Sequence, residues 1–455
     1  MSATLRSRLS DIEDQIAALQ TERATIISQL SAAAYPVLFL PTDTIAEIFM
    51  RYADGYPSTC NPRTLTKVCS LWRTVAISTP GLWTRFDYRS LGKLDNSAHA
   101  SDVLGMWLSR TGALPLDLSI QLPSPGLPEC TNIFRLLADN ATRVRNLRLY
   151  SPETMEIPGD QLGQLSALTR LSLCGQHQRV LIPKPLDVPH LRHVELVAIE
   201  LPHWRTCLPS QITTLCLKQQ SSVELLRLVE LTPNLEALEF IHGDFPSAAA
   251  IIGPPRALNR LHTLILGGHL GHQTCAGLVL PALRELRLRE DRAANFRVVE
   301  DLIHRSGGSL TTMAFSVVDV GNFMDYTMNE MQSYLAQTPA LRNLEITCRD
   351  ITGRTLKKLC KVLQNKQLVP ALASLQLLSQ RQIPLHPLVQ MLTARRDGGA
   401  LRSLKMNLEP AWSDHAGGVD TEMELYLEEL RSLRSGGLEV EISPEVQRLD
   451  SSVYS

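Results

Sequence analysis

The chain has 455 residues, of which 44% are apolar and 20% charged, values that are ordinary for folded proteins and exclude wholesale disorder. Its 45 basic and 46 acidic side chains nearly cancel, so the net charge of -1 gives no reason to expect nucleic acid or an anionic membrane as partner. No stretch approaches the roughly 20 apolar residues of a membrane span, and residues 1–30 carry charges where a signal peptide would be apolar. We therefore expect a cytoplasmic or nuclear protein.

The first 34 residues predict a long helix with one narrow apolar stripe. Apolar side chains recur on alternating steps of four and three residues, the spacing of a heptad seam, and only Arg23 interrupts it. Such a helix either packs against its own chain or pairs with a second copy in a homodimer, and the sequence leaves both readings open. The seam consists of Leu5, Leu9, Ile12, Ile16, Leu19, Ile26 and Leu30.

Residues 37–86 have the pattern of three short helices. Leu40-Pro41-Thr42-Asp43 opens the first helix, with Thr42 or Asp43 as its N-cap. Apolar residues then recur at helical spacing as far as Leu82-Trp83. These fifty residues make too small a core to be comfortably stable alone, and this shortage points to a helical protein as partner.

The segments LPTDTIAEIFMRY and LTKVCSLWRTVAISTPGLW resemble the F-box motif in the form common in mushroom-forming fungi. The resemblance implies an F-box domain over 37–90 that binds the Skp-type adaptor of a cullin-based ubiquitin ligase. For Ile48 and Trp72 the sequence does not decide between adaptor contact and the module's own core, whereas Leu40 and Pro41, at a helix start, favour contact. The residues implied at or just beneath the contact are Leu40, Pro41, Ile45, Ile48, Phe49, Val68, Trp72, Leu82 and Trp83.

One phrase, L-x-x-L-x-L or a close variant, organises the rest of the chain. Its copies begin 21 to 31 residues apart, which brackets the period of leucine-rich repeats. At roughly 1.5 to 3 kcal/mol per buried Leu, one copy alone buries too little, so the copies must stack on one another. The eleven copies begin at Val144, Leu168, Leu191, Ile212, Leu235, Leu261, Leu283, Leu310, Leu341, Leu372 and Leu401.

These repeats predict an α/β solenoid over 101–445, with short parallel strands on its concave side and helices and turns on its convex side. The strand at 114–120 and the helix at 422–433 followed by a strand at 437–442 are the predicted terminal caps. The Asn that commonly follows each phrase is mostly missing, so we expect an irregular arc.

Residues between the leucines of each strand point away from the core, so they line the predicted concave face. Charges of both signs alternate there, which suits selective protein recognition better than a phosphate backbone. The predicted target-binding residues are Arg148, Tyr150, Arg170, His193, Glu195, Lys218, Glu239, Glu285, Arg287, Arg289 and Glu345.

We expect neither catalysis nor metal binding by this chain. Nine scattered cysteines without a CxxC pair indicate neither a disulfide framework nor a zinc site. His190 and His193, like His269 and His272, are spaced as metal ligands can be, but no third ligand follows at a suitable spacing. Since GxSxG, HExxH and phosphate-binding glycine loops are also missing, we predict no catalytic residue, metal or cofactor.

Three functional hypotheses follow. The leading one is a substrate receptor, which holds a target protein near a ubiquitin ligase. The second is an F-box and leucine-rich-repeat scaffold that acts by protein–protein interaction without directing ubiquitination. The third and weakest is an enzyme or metal-dependent sensor that uses the histidines.

Overall fold

A computed structural model gives the fold of the chain. The residues that it describes are 2–34, 40–55, 61–88, 100–124, 126–151, 153, 155–156, 162–181, 188–200, 209–220, 222–242, 256–267, 277–289, 296–307, 310–318, 324–349, 353–379, 385–396, 400–407, 421–435 and 437–443. His269 and His272, which the sequence analysis named, lie outside these ranges.

A 15-stranded sheet runs through most of the chain, and neighbouring strands in it are parallel. Each of the eleven leucine phrases contributes one strand. Two flanking strands, β2 (Leu116–Gln121) and β17 (Glu439–Ser443), lie where the caps were predicted. The eleven phrase strands are β3 (Val144–Tyr150), β5 (Arg170–Leu181), β6 (His193–Glu200), β7 (Thr214–Gln220), β8 (Ala237–His242), β10 (Thr263–Gly267), β12 (Glu285–Arg289), β13 (Thr312–Val318), β14 (Asn343–Arg349), β15 (Ser374–Ser379) and β16 (Ser403–Asn407).

The pairing register explains why the phrase forms a sheet. Leu147 pairs with Leu171, which pairs with Val194, and the same alignment continues along the stack. Alternate residues of a strand point to opposite faces, so each rung places its apolar side chains above those of the previous rung. These side chains are buried in one continuous core. The result is a mixed α/β chain with a long parallel sheet, consistent with a leucine-rich-repeat solenoid-like fold.

Four short strands lie outside the predicted pattern. The most consequential is β1 (Arg85–Asp87), which pairs with β2 and so begins the sheet inside the range predicted for the helical module. The others are β4 (Met155–Glu156), β9 (Arg256–Ala257) and β11 (Leu278–Val279). β9 and β11 pair with each other away from the main sheet.

Helices connect many of the strands and bury their apolar faces in the same core. They lengthen the connections in the C-terminal half, where the phrases are farthest apart. Among the described residues, no helix is both long enough and apolar enough to cross a lipid bilayer. The connecting helices are α5 (Ala100–Leu108), α6 (Pro128–Asp139), α7 (Ser222–Leu231), α8 (Phe296–Ser306), α9 (Met324–Ala336), α10 (Gly353–Gln364), α11 (Leu385–Arg396) and α12 (Thr421–Ser435).

Among the described residues ahead of the sheet are four helices and one 3-10 turn. The first helix, α1 (Ser2–Ala34), has no buried side chain between residues 7 and 29, so the structure does not place its stripe against the rest of the chain. The next three are α2 (Thr42–Gly55), α3 (Pro62–Leu65) and α4 (Ser70–Ile77), followed by the 3-10 turn Pro80–Trp83. We call residues 40–88 the helical unit.

Two tryptophans join the helical unit to the sheet. The indole rings of Trp83 and Trp107 meet edge to face with centroids 4.8 Å apart, and both rings are buried. The indole N–H of Trp83 donates to the carbonyl oxygen of Ala76 at 2.7 Å, and that of Trp107 donates to the carbonyl oxygen of Trp83. The guanidinium of Arg110 lies 4.4 Å from the centroid of the Trp83 ring. An edge-to-face ring contact, two hydrogen bonds and a cation–π attraction therefore act together at this joint.

A buried arginine stabilises the end of α10. The guanidinium of Arg395 on α11 donates to the carbonyl oxygens of Leu363, Asn365, Leu368 and Val369, at 2.6 to 3.1 Å. A cation is favoured at a helix C-terminus, where carbonyls lack partners. The turn that it holds includes Val369 with φ of 46°, a conformation that is unfavourable for a β-branched residue.

Replacing Arg395 with Met should lower the free energy of unfolding by about 2 to 4 kcal/mol, because four carbonyl groups, three of them in buried residues, lose a charged donor. Urea denaturation followed by circular dichroism measures the change. Arg396→Met is the matched control, since Arg396 is the exposed neighbour on the same helix. Equal loss of stability in the two variants would contradict this role of Arg395.

Candidate functional site

The helical unit carries an exposed apolar surface. Ile48 on α2 and Val68 in the turn before α4 expose 46% and 57% of their surface, and Leu40 and Pro41, which precede α2, are also exposed. Tyr52, one turn after Ile48, adds an exposed ring that the sequence analysis did not single out. Spacing alone could have found it, because Ile48 and Tyr52 are four residues apart on one helix. We call Leu40, Pro41, Ile48, Tyr52 and Val68 the apolar helical face.

The other side of the same helices forms the unit's own core. Ile45, Phe49, Leu82 and Trp83 are buried, so they lie beneath any contact surface and cannot themselves be reached by a partner. Their role is to fix the position of α2 on the 3-10 turn. Met50 of α2 lies close to Gly81 of this turn. A Cβ on residue 81 would lie 2.8 Å from the Cε of Met50, so only glycine fits there without a shift.

Trp72 lies between the two sides. Its ring meets the Phe49 ring edge to face at 4.9 Å and packs against the buried core while staying partly exposed. Its backbone N–H donates to the Sγ of Cys69, 3.5 Å away, so Cys69 acts as N-cap of α4. The cap explains the thiol at position 69, and the ring contact with Phe49 explains the aromatic residue at position 72. Among the described residues, the indole Nε1 of Trp72 is buried without a hydrogen-bond partner.

The polar sheet face is the second candidate surface. It consists of the strand side chains that point away from the leucine core and corresponds to the predicted concave face. The register aligns Arg148, Ser172, Glu195, Cys216 and Glu239 in one row across five consecutive strands. Along the same row the sheet continues through Arg287 and Glu345 to Lys405 and Glu441.

Glu195 is the centre of a hydrogen-bonded charge cluster on this face. Its carboxylate accepts from the guanidinium of Arg148 at 2.8 Å, from the hydroxyl of Ser172 at 2.7 Å and from the ammonium of Lys218 at 2.9 Å. Burial alone would raise the pKa of Glu195, but these hydrogen bonds and the two cations outweigh it and lower the pKa to about 2. We call these four residues the Glu195 cluster. The sequence predicted all four on the concave face but counted only Arg148, Glu195 and Lys218 as target-binding residues.

Two further ion-pair groups lie farther along the face. Arg287 pairs with Glu285 at 2.6 Å and with Glu345 at 3.4 Å, and Arg289 pairs with Glu239 at 2.9 Å. Five of the predicted target-binding residues thus lie in these two groups. Arg287 and Glu285 share one strand, whereas the other two pairs join different strands. Tyr150 lies 3.5 Å from a guanidinium nitrogen of Arg148, and Arg170 is exposed.

A histidine and a cysteine approach each other beside these charges. His193 Nε2 lies 4.0 Å from the Sγ of Cys216. Burial, and then the negative charges of Glu239 and Glu195, raise the pKa of Cys216 to about 12, so the group is a thiol and a poor nucleophile at neutral pH. Burial and the charge of Arg170 lower the pKa of His193. Within the described part of the chain, no three His, Cys, Asp or Glu side chains are grouped to hold a metal ion.

Comparison with known proteins adds little to this geometry. No protein-family model and no curated protein sequence matches the chain. A solved structure, the crystal structure of the TLR13–ssRNA13 complex, is similar with a TM-score of 0.42 and 16% sequence identity over 68% of this chain. The match covers 44% of the TLR13 chain, so this chain spans less than half the length of that protein.

Protonation of Glu195 should cost stability at acid pH. Because its pKa is lowered from 4.5 to about 2 in the folded state, the stabilisation is complete above pH 4.5 and is lost as the pH falls towards 2. We expect Glu195→Gln to be less stable than the wild type at pH 6, and the difference to narrow by about 1 to 2 kcal/mol at pH 3.

Urea denaturation of both proteins at the two pH values measures this difference. Glu441→Gln is the matched control: Glu441 lies in the same cross-strand row and pairs with Lys405 at 2.9 Å, but its side chain is 61% exposed. An exposed ion pair contributes little to stability, so the free energy of unfolding of this control should differ little from that of the wild type at either pH. A Glu195→Gln difference that is independent of pH would contradict the cluster's electrostatics.

Proposed function

We propose that the chain is an F-box substrate receptor of a Skp-cullin-F-box ubiquitin ligase. The helical unit binds the Skp-type adaptor, and the polar sheet face binds a target protein. The observation that carries the proposal is the exposure of Ile48 and Val68 within the two segments that resemble the F-box motif, while Ile45 and Phe49 of the same motif pack inward.

Burial of the apolar helical face would favour adaptor binding. Side chains of the size of Ile and Val release roughly 1.5 to 3 kcal/mol each when they pass from full exposure to full burial. Ile48 and Val68 are about half exposed, so each has part of that free energy still to gain. Glu47 and Arg51, which are exposed on the same helix α2, form an ion pair at 2.8 Å. Charged residues of this kind suit the polar rim of such an interface.

The polar sheet face supports the second half of the proposal. Its cations and anions are largely paired with each other before any target arrives. A target must therefore match a fixed pattern of charges, which favours selectivity over general attraction to one sign of charge. The chain supplies no chemistry in this proposal: it brings a target close to the ligase and raises the effective concentration of that target.

Ile48→Asp combined with Val68→Asp should abolish co-purification with a Skp-type adaptor, because two unpaired charges would have to be buried in an apolar interface. Both side chains are exposed in the free chain, so the fold should be kept. Trp72→Ala is a poorer probe, since it removes a ring that packs on Phe49. Capture of the full-length chain on immobilised adaptor, with melting temperature as the folding readout, measures the effect.

Leu114→Asp is the matched control, because Leu114 is an exposed apolar residue that lies just before β2, outside the apolar helical face. This variant should bind the adaptor as the wild type does. Wild-type binding by the doubly substituted chain would sink the adaptor proposal. If the adaptor binds but no protein accumulates in cells when the chain is removed, the chain is a scaffold and the receptor half of the proposal is wrong.

A further inference from the structure

The helix α1 leaves an apolar seam without cover from its own chain. Within residues 7–29, for which side chains are described, every residue is exposed, and the seam residues Leu9, Ile12, Ile16, Leu19 and Ile26 expose 45 to 63% of their surface. At 1.5 Å per residue the 33 residues of α1 extend over about 50 Å. A seam of this length is too regular to be scattered surface apolarity.

The seam follows the heptad pattern of a coiled coil. If the heptad is written abcdefg, Leu9 and Ile16 fall at a, with Arg23 as the third a residue. Ile12 and Leu19 fall at d, and Ile26 follows at d. Ile16 at a with Leu19 at d is the combination that favours two strands, and a single polar a residue such as Arg23 specifies register and strand number. Leu9 at a with Ile12 at d favours a larger number of strands, so Arg23 and the charged residues beside the seam carry the assignment of two strands.

We propose that α1 pairs with α1 of a second copy of this chain in a parallel, in-register, two-stranded coiled coil. Residues at e and g decide which orientation is favoured. In the parallel arrangement the g residue Arg8 faces the e residue Glu13 of the partner, which gives two attractive pairs by symmetry. The next such pair is Gln15 with the partner's Gln20, which is neutral. No pair of like charges arises between g and e positions.

Arg23 is compatible with the parallel pairing. In a parallel coiled coil the hole that receives an a side chain is bounded by the partner's preceding g residue. For Arg23 that residue is Glu22, so each guanidinium lies beside a carboxylate of the other chain. A polar a residue lowers stability but penalises shifted registers, in which Arg23 would face a leucine or isoleucine.

The antiparallel alternative is less favourable. It sets Arg23 opposite Ile12 of the partner and Arg8 opposite Gln29, so the attraction between Arg8 and Glu13 is lost.

An anionic membrane surface is also disfavoured as the partner of the seam. The polar side of α1 carries four acidic residues (Asp11, Glu13, Asp14, Glu22) against few arginines, where a membrane-binding helix would be rich in Lys and Arg.

The proposal does not depend on the proposed function, because a chain that failed to bind an adaptor would still dimerise. Sedimentation velocity of the full-length chain across a dilution series should show twice the 50.5 kDa mass of one copy. Ile16→Glu places charges in the seam and should raise the dissociation constant of the dimer at least about tenfold.

Ala18→Glu is the matched control. Ala18 lies two residues away at an outward c position of the same helix, so this variant should remain a dimer. Circular dichroism and melting temperature of both variants show whether the rest of the chain stays folded. A wild-type chain that is monomeric at every concentration would overturn the proposal, and so would equal dissociation by the two variants or a mass above that of a dimer.

Cross-linking tests the orientation. In the parallel dimer Ile12 faces its own counterpart, so Ile12→Cys should form a disulfide-linked dimer under mild oxidation while the wild type, with its native cysteines, does not. Arg8→Glu and Glu13→Arg should each weaken the dimer roughly threefold to tenfold, and the two together should restore it. A cross-link that forms only when Ile12→Cys is mixed with Arg23→Cys would show the antiparallel pair and overturn the parallel assignment.

Discussion

No rung of the sheet can bury its own leucines, and this constraint determines most of the architecture. A rung has apolar side chains on one face of a strand of a few residues, and only the rungs on either side can cover them. Parallel pairing in strict register is the arrangement that stacks Leu147 on Leu171 and Leu171 on Val194. Once the leucines are aligned, the residues between them are aligned as well. The polar sheet face is thus a by-product of core packing.

This alignment explains why charges on that face are paired. In parallel strands, residues at equivalent positions of successive rungs lie about 4.8 Å apart, close enough for direct contact between long side chains. A carboxylate placed between two cations, as Glu195 lies between Arg148 and Lys218, holds its charge even though it is largely buried. The repeat therefore makes fixed arrays of charge possible without any loop or helix to position them.

Sequence analysis was most accurate where one local pattern determines the outcome. Every leucine phrase marked a strand, because period-two alternation and a regular spacing are both local signals. It missed β1, since a three-residue strand with one buried residue, Phe86, carries no such pattern. Which charges pair could not be predicted either, because the contact of Glu195 with Lys218 depends on register between residues 23 positions apart. In the helical unit the pattern marked the apolar residues, but not that Ile45 is buried while Ile48 is exposed.

The joint at Trp83 has a consequence for how the two surfaces can work together. β1 follows the 3-10 turn after a single residue, and the Trp83 and Trp107 rings pack on each other beneath that connection. With so short a connection and two buried rings, the apolar helical face cannot swing freely about the polar sheet face. Under the proposed function, an adaptor on one surface would then be held at a nearly constant distance from a target on the other. A flexible linker would spread the same two partners over many separations and lower the effective concentration of one near the other.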